Sequence, residues 1–259
     1  MADTIISEQV LAPIVENRAV APDHVELIIS SAVLSQAEPG QFAHILTPGM
    51  LRRPVSFSRI DQENGQVGLM FQIVGDGTRW LAERRHGEVL DILGPLGHGF
   101  AAPDPSKPWC LVGGGVGVPP LYAAAARYLH RSRPDVIIGA RTADWVLMAQ
   151  DFKDLGLDVT VATDDGTAGH AGTVMGPVET WLQDHPDGQV FACGPTPMLA
   201  AVSAACEGRA TAYVALEQRM GCGIGACLAC VVKAHGKEHA EYRRVCTEGP
   251  VFAAKELIW

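Results

Sequence analysis

The sequence predicts a β-barrel, then a doubly wound α/β layer, then a small cysteine-rich domain. Three observations carry this expectation. Up to about residue 100, short apolar runs are separated by Gly, Pro and Asn and show no helical stripe. From Trp109 onward, apolar strands ending in small or polar residues alternate with helical segments. The end of the chain has too little apolar sequence for a core of its own, yet holds four of the seven cysteines. The expected division is residues 1–102, 103–210 and 211–259.

The barrel strands come first. In APIVENRAVAPDHVELIIS, Val25, Leu27 and Ile29 alternate with polar positions, the period of a half-buried strand. GQFAHIL, RPVSFSRI and GQVGLMFQIV follow as short runs rich in Val, Ile and Phe. VLDILGPLGHGF closes the region, and AAPDPSKP reads as a linker. Several short strands at this spacing form a small barrel.

In the second layer WCLVGGG, DVIIGAR, LDVTVATDD and QVFACGP read as buried strands, with LYAAAARYLHRS and DWVLMAQDFKDL as helices between them. Residues 108–126 carry no charge, but their glycines and prolines break any continuous helix. Strand, loop, helix is the reading there, and not a membrane span.

Composition narrows the function classes. The 259 residues are 47% hydrophobic and 19% charged, an ordinary globular balance. A net charge of −9 leaves no basic patch for phosphates, which argues against a nucleic-acid partner and an anionic membrane surface. The start, with Asp3, Glu8 and Glu16, lacks the basic segment and apolar run of a signal peptide. A cytoplasmic location is expected. There thiols stay reduced, so the cysteines are not expected to form structural disulfides.

MGCGIGACLAC, with one later cysteine, has the spacing Cys222-x4-Cys227-x2-Cys230-x15-Cys246. That is the plant-type [2Fe–2S] arrangement. Gly223, Ile224, Gly225 and Ala226 let the backbone wrap closely, and glycines at positive φ turn amides toward sulfur. A zinc site more often pairs two C-x2-C knuckles, whereas the second half here is Cys246 alone. A redox-active pair at Cys227 and Cys230 would leave Cys222 and Cys246 unused. The iron–sulfur reading accounts for all four.

Upstream, LVGGGVGVPPL sits between a strand and an alanine-rich helix, where backbone amides can meet a pyrophosphate. Gly114, Gly115, Gly117 and Pro120 are its candidate contacts. Proline stands where the dinucleotide fingerprint has its third glycine, and suits a first helical turn. A structural turn is the competing reading. Cys193, Gly194 and Pro195 end a later strand, and both loops can border one crevice. Cys193 is either a small residue at a strand end or a nicotinamide contact. Asp164, beside Asp165, is either a ribose ligand that would favour NAD over NADP, or part of a polar turn.

The order of these parts resembles the ferredoxin reductase superfamily. LRRPVS, VGDGT, GGGVGVPPL, TDDGTAG, CGPTPM, EQRMGCGIGACLACVV and VCTEGPVF together resemble the electron-transfer subunits of type B dihydroorotate dehydrogenase, over nearly the whole chain. The resemblance implies that Arg53, Pro54, Val55 and Ser56 border the flavin of FAD, with Arg53 pairing phosphate and Ser56 bonding the flavin edge. It places Met70, Phe71 and Gln72 on the next FAD-contacting strand. Relatives often have a tyrosine and a basic residue there, so the Phe71–Gln72 pair departs from the pattern. Gly77 and Thr78 match the pair that supports the FAD pyrophosphate, and the four cysteines match the [2Fe–2S] ligands.

The resemblance further implies an oxidoreductase with no substrate acid–base site of its own. Dihydroorotate is oxidised in an FMN-containing partner, and electrons pass through the cluster and FAD to NAD within a heterotetramer of two subunits of each kind. Flavin is the needed intermediary, because nicotinamide moves electron pairs and the cluster moves single electrons. Two alternatives stand beside it: an iron–sulfur flavoprotein subunit of another NAD(P)H oxidoreductase, of the ferredoxin:NADP or sulfide dehydrogenase type, and a non-catalytic redox sensor. Cys110 and Cys206 read as buried small hydrophobes, Trp259 as packing, and the nine histidines show no ligand spacing.

Overall fold

A computed structural model describes residues 8–236 and 239–259. Residues 1–7, the first part of the stretch expected not to be a signal peptide, lie outside the described residues. The first part is a closed barrel of β1 (Glu8–Ala21), β2 (His24–Ser30), β3 (Phe42–Ile45), β4 (Arg53–Asp61), β5 (Gln66–Gln72) and β6 (Val89–Leu96), with α1 (Asp76–Ala82) between the last two. The order around the barrel is β1-β2-β5-β4-β3-β6, and β6 returns to β1, with Gly94 opposite Glu8. The alternation read in the sequence points Leu27 and Ile29 inward, to pack with Ile14, Phe57, Leu69 and Ile92.

One carboxylate in this barrel is fully buried. Glu26 accepts hydrogen bonds from Ser58 Oγ at 2.7 Å and Arg59 Nε at 3.1 Å, and pairs with Arg18 as well. These donors offset the cost of removing the charge from water. Arg59 also bridges out of the barrel to Asp151, and its guanidinium lies 4.9 Å from the centre of the Tyr122 ring.

The second part is a seven-stranded sheet built from β7 (Trp109–Gly114), β8 (Asp135–Ala140), β9 (Val159–Thr163), β10 (His170–Ala171), β11 (Gln189–Cys193), β12 (Thr211–Ala215) and β15 (Val251–Ala253). Its order is β10-β9-β8-β7-β11-β12-β15. All pairs are parallel except β12 with β15, so two strands from beyond residue 210 complete the same sheet. Helices α2 (Val118–Tyr128), α3 (Ala149–Asp154), α4 (Met175–Asp184) and α5 (Thr196–Cys206) connect the strands. Pro119 and Pro120 occupy the first turn of α2, where a missing amide costs nothing.

The helix expected over DWVLMAQDFKDL is shorter than its pattern. A tight 3-10 turn covers Ala143–Trp145, Val146 is extended, and Met148 has a φ of 56°, so α3 starts only at Ala149. The break lets Leu147 and Met148 both reach the core that contains Phe152. The uncharged stretch at 108–126 forms β7, a short turn and α2. Among the described residues no helix is long and apolar enough to cross a membrane.

A two-stranded hairpin, β13 (Val231–His235) with β14 (Ala240–Arg244), carries the cysteine segment. Val231 lies opposite Arg244, and the Val245 amide donates to the Cys230 carbonyl at 3.0 Å. This register draws Cys246 back beside Cys230. Both are buried in the core shared with β11, β12 and α5, as are Cys110 and Cys206. Trp259 donates its indole N–H to Ser203 of α5 at 3.1 Å.

Candidate functional site

The strand order reverses between β7 and β11, and ligands in open α/β sheets sit beyond the carboxyl ends of strands at such a point. A cleft of about 690 Å³ opens there, between the sheet and the barrel. The barrel side is lined by Arg53, Pro54, Val55 and Ser56 of β4, by Met70, Phe71 and Gln72 at the end of β5, and by Thr78. The sheet side is lined by Gly114, Gly115, Gly117 and Pro120, by Asp164, and by Cys193, Gly194 and Pro195.

Gly77 is the one candidate contact from the sequence that does not line the cleft. It is buried in the first turn of α1, where a Cβ would stand 2.5 Å from Arg53 Nε and 3.0 Å from Thr47 Oγ1. Its missing side chain is what lets the Arg53 guanidinium lie there. Among the described residues, that guanidinium bonds only the carbonyls of Leu51, at 3.1 Å, and Arg52, at 3.5 Å. The Thr47 hydroxyl is buried with no hydrogen-bond partner among the described residues. A cation without a carboxylate beside a buried, unbonded hydroxyl suits a phosphate. Thr78 holds the adjoining turn, accepting from the Val74 amide at 2.9 Å and the Gly75 amide at 3.2 Å.

On the sheet side, the loop after β7 presses directly on the loop after β11. A Cβ on Gly117 would be 2.2 Å from the Cys193 carbonyl oxygen and 2.5 Å from the Gly194 nitrogen. Glycine is therefore a packing requirement, and the two loops form one wall at the amino end of α2, where backbone amides favour an anion. Burial, and then the nearby Glu217 carboxylate, push the Cys193 thiol up to about 12, so it stays protonated. The acidic pair divides its work. Asp164 faces the cleft, whereas Asp165 closes its own turn, accepting from the Thr167 amide at 3.0 Å and hydroxyl at 2.7 Å.

Several cleft residues escaped the sequence reading. His24 meets Trp145 edge-on with ring centres 5.1 Å apart, and Arg141 lies 5.5 Å from the Trp145 ring centre. All three line the cleft. Arg141 directly follows β8, so the rule that singled out the other strand ends could have found it. Trp145 was hidden inside the expected helix.

Glu217, Gln218 and Met220 also line the cleft, and the chain continues from them into the cysteine loop. There Gly223 and Gly225 have φ of 73° and 81°. The Ala226 and Cys227 amides point at Cys222 Sγ from 3.3 and 3.4 Å. Burial raises the Cys222 thiol, but these amides, the Ile224 amide and the Cys227 side chain bring it down to about 7. Burial and contact with Cys230 push Cys246 up to about 11.

Cys227 interacts with Cys222, and Cys246 with both Cys230 and Cys222. Among the described residues, no three ligand side chains converge on a single point. The spacing Cys222-x4-Cys227-x2-Cys230 with the distant Cys246 suits a two-iron cluster held by four thiolates.

Residues 217–258 match the family described as the iron-sulfur cluster binding domain of dihydroorotate dehydrogenase B. The electron transfer subunit of dihydroorotate dehydrogenase B (NAD(+)) from Geobacillus thermodenitrificans is 42% identical over 254 residues, spanning 95% of this chain and 96% of that protein. The chain belongs to this family of electron transfer subunits. Its counterpart from Bacillus mycoides is 40% identical over 256 residues, with the same shares covered. Among solved structures, that of an NADH-dependent reduced ferredoxin-NADP oxidoreductase, studied for flavin-based electron bifurcation, superimposes with a TM-score of 0.86 at 29% identity, over 100% of this chain and 92% of that one. The architecture is accordingly ferredoxin-reductase-like: closed barrel, α/β sheet and iron–sulfur segment.

Proposed function

We propose that this protein is the electron-transfer subunit of an NAD-linked dihydroorotate dehydrogenase, an oxidoreductase subunit of pyrimidine biosynthesis. The observation that carries the reading is the single cleft shared by the barrel strands, the dinucleotide loops and residues 217–220, which lead straight into the four-cysteine loop.

Each part of the cleft takes a role from its chemistry. Arg53, with Thr47 and Thr78 beside it, holds the FAD phosphates. Ser56, Met70, Phe71 and Gln72 line the flavin. Gly114, Gly115, Gly117 and Pro120 seat the NAD pyrophosphate, with Cys193, Gly194 and Pro195 forming the opposite wall. Asp164 takes a ribose hydroxyl and repels a 2′-phosphate, which favours NAD over NADP. Cys222, Cys227, Cys230 and Cys246 hold a [2Fe–2S] cluster. Bound there, FAD supplies the conversion between hydride exchange with NAD and single-electron exchange with the cluster.

The residues themselves position and shield, and move no substrate proton. The protonated Cys193 thiol keeps an uncharged surface beside the sheet-side wall of the cleft. The amides directed at Cys222 stabilise thiolate charge. Dihydroorotate oxidation belongs to an FMN-containing catalytic subunit, in a cytoplasmic heterotetramer of two subunits of each kind. Exposed Ile224 and Leu228 put the cluster loop on the surface where such a partner docks.

Co-purification with that catalytic subunit tests the reading. Association, with NADH formed from dihydroorotate and NAD, is the expected result; no association and no orotate-linked turnover overturns it. A second reading, an iron–sulfur subunit serving a ferredoxin-linked NADP oxidoreductase, draws on the TM-score of 0.86 to such an enzyme. Rapid ferredoxin-dependent reduction of NADP by this chain would favour it.

A further inference from the structure

Strand β3 has two faces with different surroundings. Ala43 and Ile45 fill the barrel core, whereas Phe42 belongs to the second core, the one that also holds Cys230 and Cys246. His44 is fully buried on that second face, against Gly223. A Cβ at residue 223 would stand 2.6 Å from His44 Nδ1 and 3.2 Å from Cε1, so the imidazole fills the space that the glycine leaves.

Neither ring nitrogen makes a hydrogen bond of normal geometry among the described residues, although the backbone of Arg52 lies against the ring on one side and that of Cys222 on the other. An imidazole always carries at least one N–H, and a buried donor without an acceptor is costly. The same strand pairs with the flavin segment: Phe42 lies opposite Ser56, and His44 opposite Pro54. One residue thus touches the cysteine loop from the strand beside the proposed flavin wall.

We infer that His44 is the positioning residue that seats the cluster loop on the barrel and turns a ring N–H toward the Cys222 arm of the [2Fe–2S] site. The inference rests on the cluster reading above and goes beyond it, since His44 is not a ligand. A hydrogen bond to a cluster sulfur or its ligand arm stabilises the more negative, reduced cluster and raises its potential. His44 therefore keeps the cluster reducible by the neighbouring flavin, besides holding it near.

The test uses the full chain carrying FAD and cluster, as wild type and as His44→Phe, His44→Met and His44→Gln. Iron and acid-labile sulfide are measured first; a wild type lacking both fails the cluster reading itself, separately from this inference. A mediated redox titration followed by EPR then reads the cluster potential. Phe and Met keep bulk without a donor, and are expected to shift the equilibrium about tenfold against cluster reduction, ~59 mV for a one-electron couple, with altered g-values. Gln keeps a donor and is expected to stay close to wild type. Loaded Phe and Met variants with wild-type potential and spectrum overturn the inference, as does a Gln variant shifted as far as Met. If none of the three retains iron, the side chain is packing alone and the donor role falls.

Discussion

The contact between the two loops of the sheet gives the sharpest expectation, through Gly117→Ala. The added methyl would meet the Cys193 carbonyl oxygen at 2.2 Å, where ordinary contact starts at 3.4 Å. The obstructing atoms are backbone, so no side-chain rotation relieves them. The loops must part by about 1.2 Å, the difference between those two distances. A displacement of roughly 1 Å in groups that position a hydride donor costs on the order of 100-fold in rate.

The assay is anaerobic stopped-flow reduction of bound FAD by NADH, followed at the flavin band. FAD and iron content should stay at wild-type levels, because the altered position touches neither the Arg53 region nor the four cysteines of the cluster loop. Gly115→Ala is the comparison within the same loop: its φ is 52° and no protein atom lies within 4 Å, so inside the protein it meets backbone strain of about 1–2 kcal/mol and no clash between the loops. It should lose no more than roughly 30-fold. Wild-type rates in Gly117→Ala would refute the argument that the two loops form one dinucleotide wall.

Other expectations follow from single side chains. Arg53→Ala should weaken FAD retention roughly 10- to 150-fold, the worth of a charge-assisted hydrogen bond, read from flavin fluorescence on dilution. Arg59→Met removes one partner of buried Glu26 and the link to Asp151. Because Arg18 and Ser58 still hold that carboxylate, a loss of about 2 kcal/mol is expected in urea unfolding, below the full cost of breaking a buried pair. Cys227→Ser should abolish electron delivery to the partner while leaving NADH bleaching of the flavin intact, measured by orotate-linked turnover beside stopped flow.

Much of the fold was legible because it rests on local patterns. Period-2 alternation at Val25, Leu27 and Ile29 marks a barrel strand, and apolar runs ending in glycine mark the parallel sheet. What stayed hidden depends on distant parts. Nothing local says that β5 pairs with both β2 and β4, or that β15 returns to pair with β12. The expected helix at DWVLM failed because burying Leu147 and Met148 together outweighed helical propensity, at the cost of a left-handed Met148.

The site divides the same way. The glycine loops, the strand ends and the cysteine spacing carry their chemistry in a few consecutive residues. His24, Trp145 and His44 gain their places only from long-range approach. His44 in particular has no sequence signal: its significance comes from a glycine 179 positions later in the chain that makes room for its ring.

The central claim is a single electron line from NAD through the cleft to the cysteine loop. An anaerobic NADH titration of the purified chain, read by absorbance and EPR on the same samples, tests it most directly. The account requires the flavin band to bleach and a [2Fe–2S] EPR signal to rise, ending at about three electron equivalents per chain, two on flavin and one on the cluster. A flavin that bleaches while no cluster signal appears would contradict it.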